Sequence, residues 1–238
     1  MTSAIEHLVE PESLLLVWQQ RDEEATDRTR RVVGKITREP TSGEIELNYL
    51  QGTPDFEAAK ASGFLGYPAF KLSQKLHNLG VLETFVRRLP PRKRGDFAAY
   101  LKNHWLAHPF ELSDFALLGY TGAKLPGDGF TLVPVFNPRD IPCDCVMEVA
   151  GTRYKIDQLD TLSLGDALTL EPEPSNPVDS NALVVKKGDL TLGYVNRALL
   201  PTVHAWMSNA TVEVSLIKKN GKPSRPLLYV LLKVRPRS

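Results

Sequence analysis

A short polar loop between two strand-like segments carries the side chains in this sequence that are best suited to chemistry. Residues 171–185 read EPEPSNPVDSNALVV, in which prolines and acids precede an apolar run. The carboxylate of Asp179 and the amides of Asn176 and Asn181 can all accept hydrogen bonds. One interpretation is that Asp179 only closes an Asx turn after Pro177. The other is that the loop uses Asp179 to hold a ligand.

Histidines and cysteines give no pattern typical of a metal site. The five histidines are scattered at positions 7, 77, 104, 108 and 204. His104 and His108 are one helical turn apart, but Pro109 would end such a helix and the glutamate of a metalloprotease motif is missing. Cys143 and Cys145 lack the histidines of a zinc finger and are interpreted as two incidental thiols. We therefore predict no metal site and no cofactor.

Catalytic motifs of other kinds are also missing. The glycines of GYTGAKLPGDG are not followed by the GK[ST] of a phosphate-binding loop. A serine nucleophile elbow, paired catalytic carboxylates and kinase motifs are likewise not found. The sequence predicts a protein that is not an enzyme and has no catalytic residues.

Positive charge is distributed unevenly along the chain, although the net charge is only +1. Residues 87–94, RRLPPRKR, are interpreted as a solvated loop between helices, with contact to phosphate or an acidic partner as the alternative. Residues 143–185 hold two bases and eight acids (2 − 8 = −6), and residues 186–238 hold ten bases and two acids (10 − 2 = +8). If the bases share one surface, its positive potential would attract phosphates. If folding instead interleaves residues 143–185 with residues 186–238, acids and bases would cancel that potential.

Composition is that of a globular protein, with 42% hydrophobic and 24% charged residues among 238. No apolar stretch approaches the ~20 residues of a membrane-spanning helix. The N-terminus, MTSAIEHLVEPES, lacks the basic and apolar regions of a signal peptide. We expect a cytoplasmic protein with no membrane partner.

Residues 1–136 are predicted to form an α+β unit. Segments 13–21, 30–38 and 43–50 predict a three-stranded meander, and 129–136 predicts a further strand. Helical spacing predicts three helices, the second of them capped by Asp96. Their apolar positions are Leu72, Leu76, Leu79, Leu82 and Phe85; Phe97, Tyr100, Leu101 and Trp105; and Leu112, Phe115, Ala116 and Leu118. Prolines in residues 137–142 predict a linker.

Residues 143–238 are predicted to be mostly strand with one helix. Strands are expected at 146–156, 166–172, 181–187 and 190–196, followed by a helix over 197–208. The dipeptide Asn220-Gly221 then predicts a hairpin that joins 211–219 to the last strand. About six short strands and one helix predict a small OB-like barrel.

This second unit resembles the HIRAN domain, the DNA-end-binding module of eukaryotic fork-remodelling translocases that also occurs in bacteria. The family pattern is V-x-G-x-x-Y, a loop with N-P-x-D-x-N-A, and a strand ending in G-Y or G-H. It is met by Val149, Gly151, Tyr154, Asn176-Pro177, Asp179, Asn181-Ala182 and Gly193-Tyr194. The resemblance implies an OB-like barrel that binds the 3′-hydroxyl end of single-stranded DNA.

The resemblance also implies which residues contact DNA. Arg153 and Tyr154 match an Arg-Tyr pair of the first strand, whose ring stacks on a terminal base. Asp179 matches the aspartate of the loop, but the family usually has an aromatic residue where this chain has Val178. Arg197 is the nearest candidate for a basic residue that contacts phosphate after the G-Y strand.

Asn176 and Asn181 complete the predicted DNA-binding set, with fixing of the loop as their main role. The choice of an aspartate is chemically reasonable on its own. A carboxylate repels phosphates, but it can accept a hydrogen bond from a free hydroxyl, and a 3′-phosphate at the same place would meet like charge.

Residues 1–136 resemble, through shorter motifs, the N-terminal module of HipA-type toxin kinases. The matching residues are Val33-Gly34, Tyr49, Leu117-Leu118-Gly119 and Gly122-Ala123, with Ile36 in place of a leucine. In split systems of that family a free-standing module restrains a separate kinase. This chain has no kinase lobes, so the resemblance implies binding of a kinase toxin or another protein partner.

Together these features predict a non-catalytic, DNA-binding adaptor or regulator. Its HIRAN domain would recognise DNA, including single-stranded 3′-hydroxyl ends, and residues 1–136 would bind a protein. The alternative is an antitoxin-like subunit of a HipA-type toxin–antitoxin system, which acts through protein contacts and has little DNA affinity. Val178 favours the alternative, because it removes a stacking surface.

Overall fold

Two compact units make up the chain in the computed structural model, which describes residues 5–20, 29–39, 42–154, 159, 161–222 and 225–237. The N-terminal unit comprises residues 10–137, and the C-terminal unit comprises residues 1–9 and 138–238. The C-terminal unit is thus assembled from both ends of the chain. Within the described residues, no helix is both long and apolar enough to cross a membrane.

The N-terminal unit is built on a five-stranded antiparallel sheet, counted over the described residues, with the order β4-β3-β2-β1-β5. Its strands are β1 (Ser13–Trp18), β2 (Arg31–Arg38), β3 (Ile45–Tyr49), β4 (Leu76–His77) and β5 (Phe130–Val135). β1, β2 and β3 pair in chain order, which confirms the predicted meander. In β3, Ile45, Leu47 and Tyr49 alternate onto the buried face, as the period of two predicts.

Short helices cover this sheet. They are α1 (Pro54–Ala61), α2 (Val81–Val86), α3 (Phe97–Asn103) and α4 (Asp114–Thr121). The third predicted helix is α4, but it begins after Leu112, and the Ser113 hydroxyl caps it by accepting the amide hydrogen of Ala116 at 3.1 Å. Asp96 precedes α3 but makes no side-chain cap bond, and α3 ends before Trp105.

The first predicted helix is wrong over residues 72–80. That segment contains β4 and turns, and α2 begins only after Gly80, whose φ of 64° lies in the left-handed region. Leu76 and Leu79 are exposed, so their helical spacing marks no buried face. Helix α1 was not predicted, because its buried positions Phe56 and Ala59 give only a weak apolar period.

The basic stretch 87–94 is anchored to the N-terminal unit. Arg88 is buried, forms an ion pair with Asp128 at 2.5 Å, and donates to two backbone carbonyls at 2.8 and 3.3 Å. Arg92 forms an ion pair with Asp114 at 2.7 Å and also donates to two carbonyls. The stretch was interpreted as a solvated loop, and this was wrong for Arg88. Its guanidinium is buried and binds a carboxylate and two carbonyl oxygens within the unit.

The C-terminal unit is a strongly curved antiparallel sheet, six-stranded over the described residues, with the order β6-β11-β10-β7-β8-β9. Its strands are β6 (Cys143–Glu148), β7 (Ala167–Pro172), β8 (Leu183–Lys187), β9 (Leu190–Tyr194), β10 (Ala210–Lys222) and β11 (Arg225–Pro236). Helix α5 (Leu200–Asn209) lies between β9 and β10, close to the predicted position.

A backbone bridge joins the two ends of this sheet into a small barrel. Ala150, just after β6, and Tyr194, at the end of β9, exchange two hydrogen bonds of 2.8 Å. The strands approach closely here, since a Cβ on Gly193 would lie 2.2 Å from the Ala150 carbonyl oxygen. The Gly-Tyr pair of the motif therefore has a structural reason: only glycine permits this closure. The predicted mostly-β barrel with a helix is confirmed.

Two local predictions in this unit were wrong. The strand expected over 146–156 ends at Glu148, and Arg153 and Tyr154 lie in a 3-10 helix (Thr152–Tyr154). The barrel closure at Ala150 requires the chain to turn at this point. The predicted hairpin is present as β10 and β11, but its turn is not at Asn220-Gly221. These two residues pair with Leu227 and Pro226 and therefore lie inside β10.

Residues 5–9 are fixed to the outer edge of β6 by a buried carboxylate. Asp144, which is fully buried, accepts the amide hydrogens of Glu6 and His7 at 2.9 and 3.0 Å, and its own amide donates to the His7 carbonyl at 2.9 Å. Arg235 of β11 binds the same carboxylate at 2.6 Å. Ile5 is buried as well. This segment therefore forms part of the C-terminal unit.

Candidate functional site

The side chain of Asn176 fixes the shape of the loop between β7 and β8. Its Oδ1 accepts the amide hydrogens of Val178 and Asp179 at 2.9 and 3.1 Å. Its Nδ2 donates to the Glu173 carboxylate at 2.5 Å. Asn176 thus supports the loop from within, which is the main role expected of it.

Asp179 sits at the end of this turn with both carboxylate oxygens engaged. Oδ1 accepts the amide hydrogen of Asn181 at 2.9 Å, which is the Asx turn expected from the sequence. Oδ2 lies 3.2 Å from Nε of Arg197. The Asn181 amide and then the Arg197 guanidinium lower the pKa of Asp179, so the carboxylate is charged at neutral pH.

Arg197 reaches this carboxylate from the segment that follows β9, the strand paired with β8. It begins a 3-10 helix (Arg197–Leu199) that follows β9, and Asn196 caps this helix by accepting the amide hydrogen of Ala198 at 3.1 Å. The guanidinium also approaches the Val178 carbonyl at 3.5 Å. The structure therefore brings Asp179 and Arg197, two predicted DNA-binding residues, into direct contact.

Helix α5 contributes a residue that the sequence did not indicate. His204 binds the carbonyl oxygen of Asn181 at 2.8 Å through Nε2. Its imidazole is close enough to Asp179 to act on the pKa of that carboxyl. Asn181 is consequently held by its amide and by its carbonyl, which matches its expected role of fixing the loop. The lone His204 in the sequence gave no signal of this contact.

Tyr194 and Glu173 form a second contact that the sequence did not indicate. Burial, followed by the hydrogen-bonded Glu173 carboxylate, raises the pKa of the Tyr194 hydroxyl. Asn176 is a further hydrogen-bonding neighbour of that hydroxyl. The G-Y motif therefore connects barrel closure to the loop, because the backbone of Tyr194 makes the bridge and its side chain meets the base of the loop.

Val178 projects from the tip of the loop, where 76% of its surface is exposed. An apolar side chain this exposed contributes little to the folded state of the loop. It does offer a small surface to a ligand at Asp179. A larger flat ring at this position would offer a base a stacking partner, which Val178 cannot.

Arg153 and Tyr154 are placed by the turn after β6. Arg153 is exposed in the 3-10 helix, and the side chain of Tyr154 lies outside the described part of the structure. The turn adjoins β9, since a Cβ on Gly151 would lie 3.6 Å from the Tyr194 ring. The predicted Arg-Tyr site therefore sits on the closing side of the barrel, next to the strand that contacts the loop.

The acidic and basic halves of this unit are interleaved by folding. Among the residues that the structure describes, four bases from residues 186–238 form ion pairs with acids from residues 143–185. The pairs are Lys186–Glu171, Lys187–Asp166, Arg197–Asp179 and Arg235–Asp144. Lys219 also donates to the carbonyls of Leu159 and Leu162. These ion pairs involve four of the ten bases that the sequence places in residues 186–238, which is the kind of interleaving that the second interpretation describes.

Potential metal ligands meet at one place within the described residues, where Glu6, His7 and Asp144 come together. The Asp144 oxygens already accept two backbone amide hydrogens and the Arg235 guanidinium, so the cluster has a structural explanation. The thiols are poor nucleophiles. Burial raises the pKa of Cys143 to about 12 and that of Cys145 well above its usual range.

Comparison with known proteins supports the assignment of the C-terminal unit. Residues 143–234 match the family model of the HIRAN domain, which confirms the HIRAN domain predicted for this part of the chain. The crystal structure of the HIRAN domain of human HLTF aligns with 38% of this chain and 74% of that chain, at 18% identity and a TM-score of 0.32. No curated protein matches the chain. The family match lies outside residues 10–137, so the HipA-type resemblance stays a prediction.

Proposed function

We propose that the C-terminal unit binds DNA and that its loop 176–181 recognises single-stranded ends with a free 3′-hydroxyl. The family match over residues 143–234 supports DNA recognition. The observation that carries the finer proposal is the partly exposed, charged Asp179 next to the guanidinium of Arg197. A cation suits a phosphate, and a carboxylate suits a hydroxyl donor.

We assign the remaining predicted residues to the same binding surface. Asn176 and Asn181 hold the loop, and Arg153 with Tyr154 lies on the adjoining turn. Tyr154→Ala should weaken binding of all single-stranded sequences, by about 1–3 kcal/mol if its ring stacks on a base. The chain would carry out no reaction, and DNA recognition would be coupled to a protein partner bound by the N-terminal part of the chain, predicted as residues 1–136.

Titration of labelled oligonucleotides into the whole protein at low salt tests the proposal. The set comprises a single strand with a 3′-hydroxyl, the same strand with a 3′-phosphate, and a blunt duplex. We expect tightest binding of the 3′-hydroxyl strand. Absence of binding to all three would overturn the proposal, whereas equal binding would reduce it to a phosphate site without end recognition.

A second candidate function is an antitoxin-like regulator with little DNA affinity, and two observations favour it. Val178 stands where an aromatic residue would stack on DNA, and Lys186, Lys187 and Arg235 form ion pairs within the unit. In this case the protein would co-purify with a kinase of the HipA type and reduce its activity. Failure of every oligonucleotide to bind, together with such a kinase partner, would favour this candidate over the first.

A further inference from the structure

The ion pair between Asp179 and Arg197 has features of a contact that can open. The side chains of Arg197 and Asp179 are 39% and 21% exposed, and their atoms approach to 3.2 Å. They come from separate elements, the loop after β7 and the 3-10 helix after β9. Partly exposed ion pairs contribute only about 0–1 kcal/mol to stability. A phosphate can therefore compete with Asp179 for the guanidinium.

The loop retains its shape without this ion pair. Asp179 is held through Oδ1 by the Asn181 amide, and its own amide donates to Asn176. The Asn181 carbonyl is bound by His204. On the other side, the cap at Asn196 fixes the start of the Arg197 helix. Each element has hydrogen bonds of its own, so the contact can open without unfolding the site, although opening also releases the Arg197 guanidinium from the Val178 carbonyl at 3.5 Å.

We propose that the Asp179–Arg197 ion pair acts as a latch. It lowers the affinity for internal single-stranded DNA, and it opens when the 3′ end of a strand binds. This inference rests on the proposed DNA-binding function. When DNA binds, the Arg197 guanidinium transfers to a phosphate and the Asp179 carboxylate loses its cation. A terminal 3′-hydroxyl compensates for this loss by donating a hydrogen bond to the carboxylate, while an internal nucleotide has no 3′-hydroxyl to donate. End preference thus comes from competition for Arg197.

The test compares a linear 3′-hydroxyl strand with a circular single strand of the same sequence. Asp179→Asn keeps an oxygen that accepts the Asn181 amide hydrogen but removes the charge that holds Arg197. We expect this variant to bind the circular strand about two- to fivefold more tightly than the wild type does, which is the weight of such an ion pair. Its affinity for the linear strand should change less, so the preference for the end falls.

Arg197→Gln provides the opposite test. It should weaken binding of the linear strand and reduce the slope of log K against log salt by about 0.7, the value for one phosphate contact on a single strand. Binding of the circular strand should change little, because the latch keeps Arg197 away from internal phosphates. Glu171→Gln is the matched control, since it removes one carboxylate from a partly exposed ion pair that joins β7 to Lys186 of β8 and does not involve Arg197.

Each outcome separates this inference from the proposed function. If the wild type binds neither strand, the DNA-binding proposal fails. If the wild type binds DNA but Asp179→Asn gains no affinity for the circular strand beyond that of Glu171→Gln, the latch is wrong and DNA binding stands. Asp179→Ser, whose hydroxyl can still cap the turn, repeats the test if the asparagine variant unfolds.

Discussion

Arg88 and Arg197 each form an ion pair with an aspartate, one in each unit, yet their surroundings differ. Only 4% of the Arg88 side chain is exposed, and carbonyl oxygens share its guanidinium with Asp128. The Arg197 side chain is 39% exposed at the edge of a loop. A buried charge with several fixed acceptors stabilises the fold, whereas a half-exposed charge can exchange its partner. The difference indicates that a ligand can bind Arg197 but not Arg88.

Removal of Arg88 should have the largest effect on stability. Arg88→Met leaves Asp128 and the carbonyl oxygens of Ala123 and Phe130 without their donor, and we expect a loss of about 3 kcal/mol. The shift of the urea unfolding curve measures it. Arg92→Met is the control, because its partly exposed pair with Asp114 should cost no more than about 1 kcal/mol. Equal losses would refute the distinction by burial.

A buried carboxylate in the C-terminal unit extends the same comparison. Asp144→Ala removes the acceptor of the Glu6 and His7 amide hydrogens and the partner of Arg235, so we expect a loss of about 2–3 kcal/mol. Hydrogen exchange should also increase at the two amides. If protection of these amides is unchanged, residues 5–9 are not fixed by Asp144.

A third change concerns affinity and leaves stability almost unchanged. Val178→Tyr adds an aromatic ring at an exposed position, so the free energy of unfolding should change by less than about 0.5 kcal/mol. Single-stranded DNA should bind more tightly, by about 1 kcal/mol, because bases stack on aromatic rings. Val178→Leu is the control of similar hydrophobicity. Equal affinity of the two variants would show that no base lies near the loop tip.

The smallest expected effect on stability is that of Arg197→Ala. Loss of a partly exposed ion pair should cost less than about 1 kcal/mol in thermal or urea unfolding. Affinity for the 3′-hydroxyl strand should nevertheless fall. A stability loss as large as that of Arg88→Met would mean that Arg197 is also structural, and the contrast between the two pairs would disappear.

Sequence patterns predicted the strands and helices whose apolar side chains recur with a regular period. The meander β1–β3, most of the barrel strands and α4 were predicted from the spacing of their apolar side chains. The helix expected across residues 72–80 was wrong because leucines at helical spacing there are exposed. Periodicity indicates a helix only when one face is buried.

The site was predictable as a set of residues but not as a set of contacts. The motif identified Asp179 and named Arg197 as a candidate, yet their pairing depends on the β8–β9 hairpin, which brings the residues before β8 next to those after β9. The His204 contact with the loop depends on the position of helix α5, and the Glu173–Asn176 hydrogen bond is local but follows no sequence pattern. The charge totals could not show that acids and bases of the two halves would pair.

The most direct test of the central claim measures the Kd ratio of 3′-phosphate to 3′-hydroxyl single strands for the wild type and Asp179→Ala side by side. Asp179 repels a terminal phosphate and accepts from a hydroxyl, so the wild type should prefer the hydroxyl end. The variant should bind both ends with a ratio near one. An identical ratio for the two proteins, or no binding by the wild type, would contradict the claim that this loop recognises a DNA end.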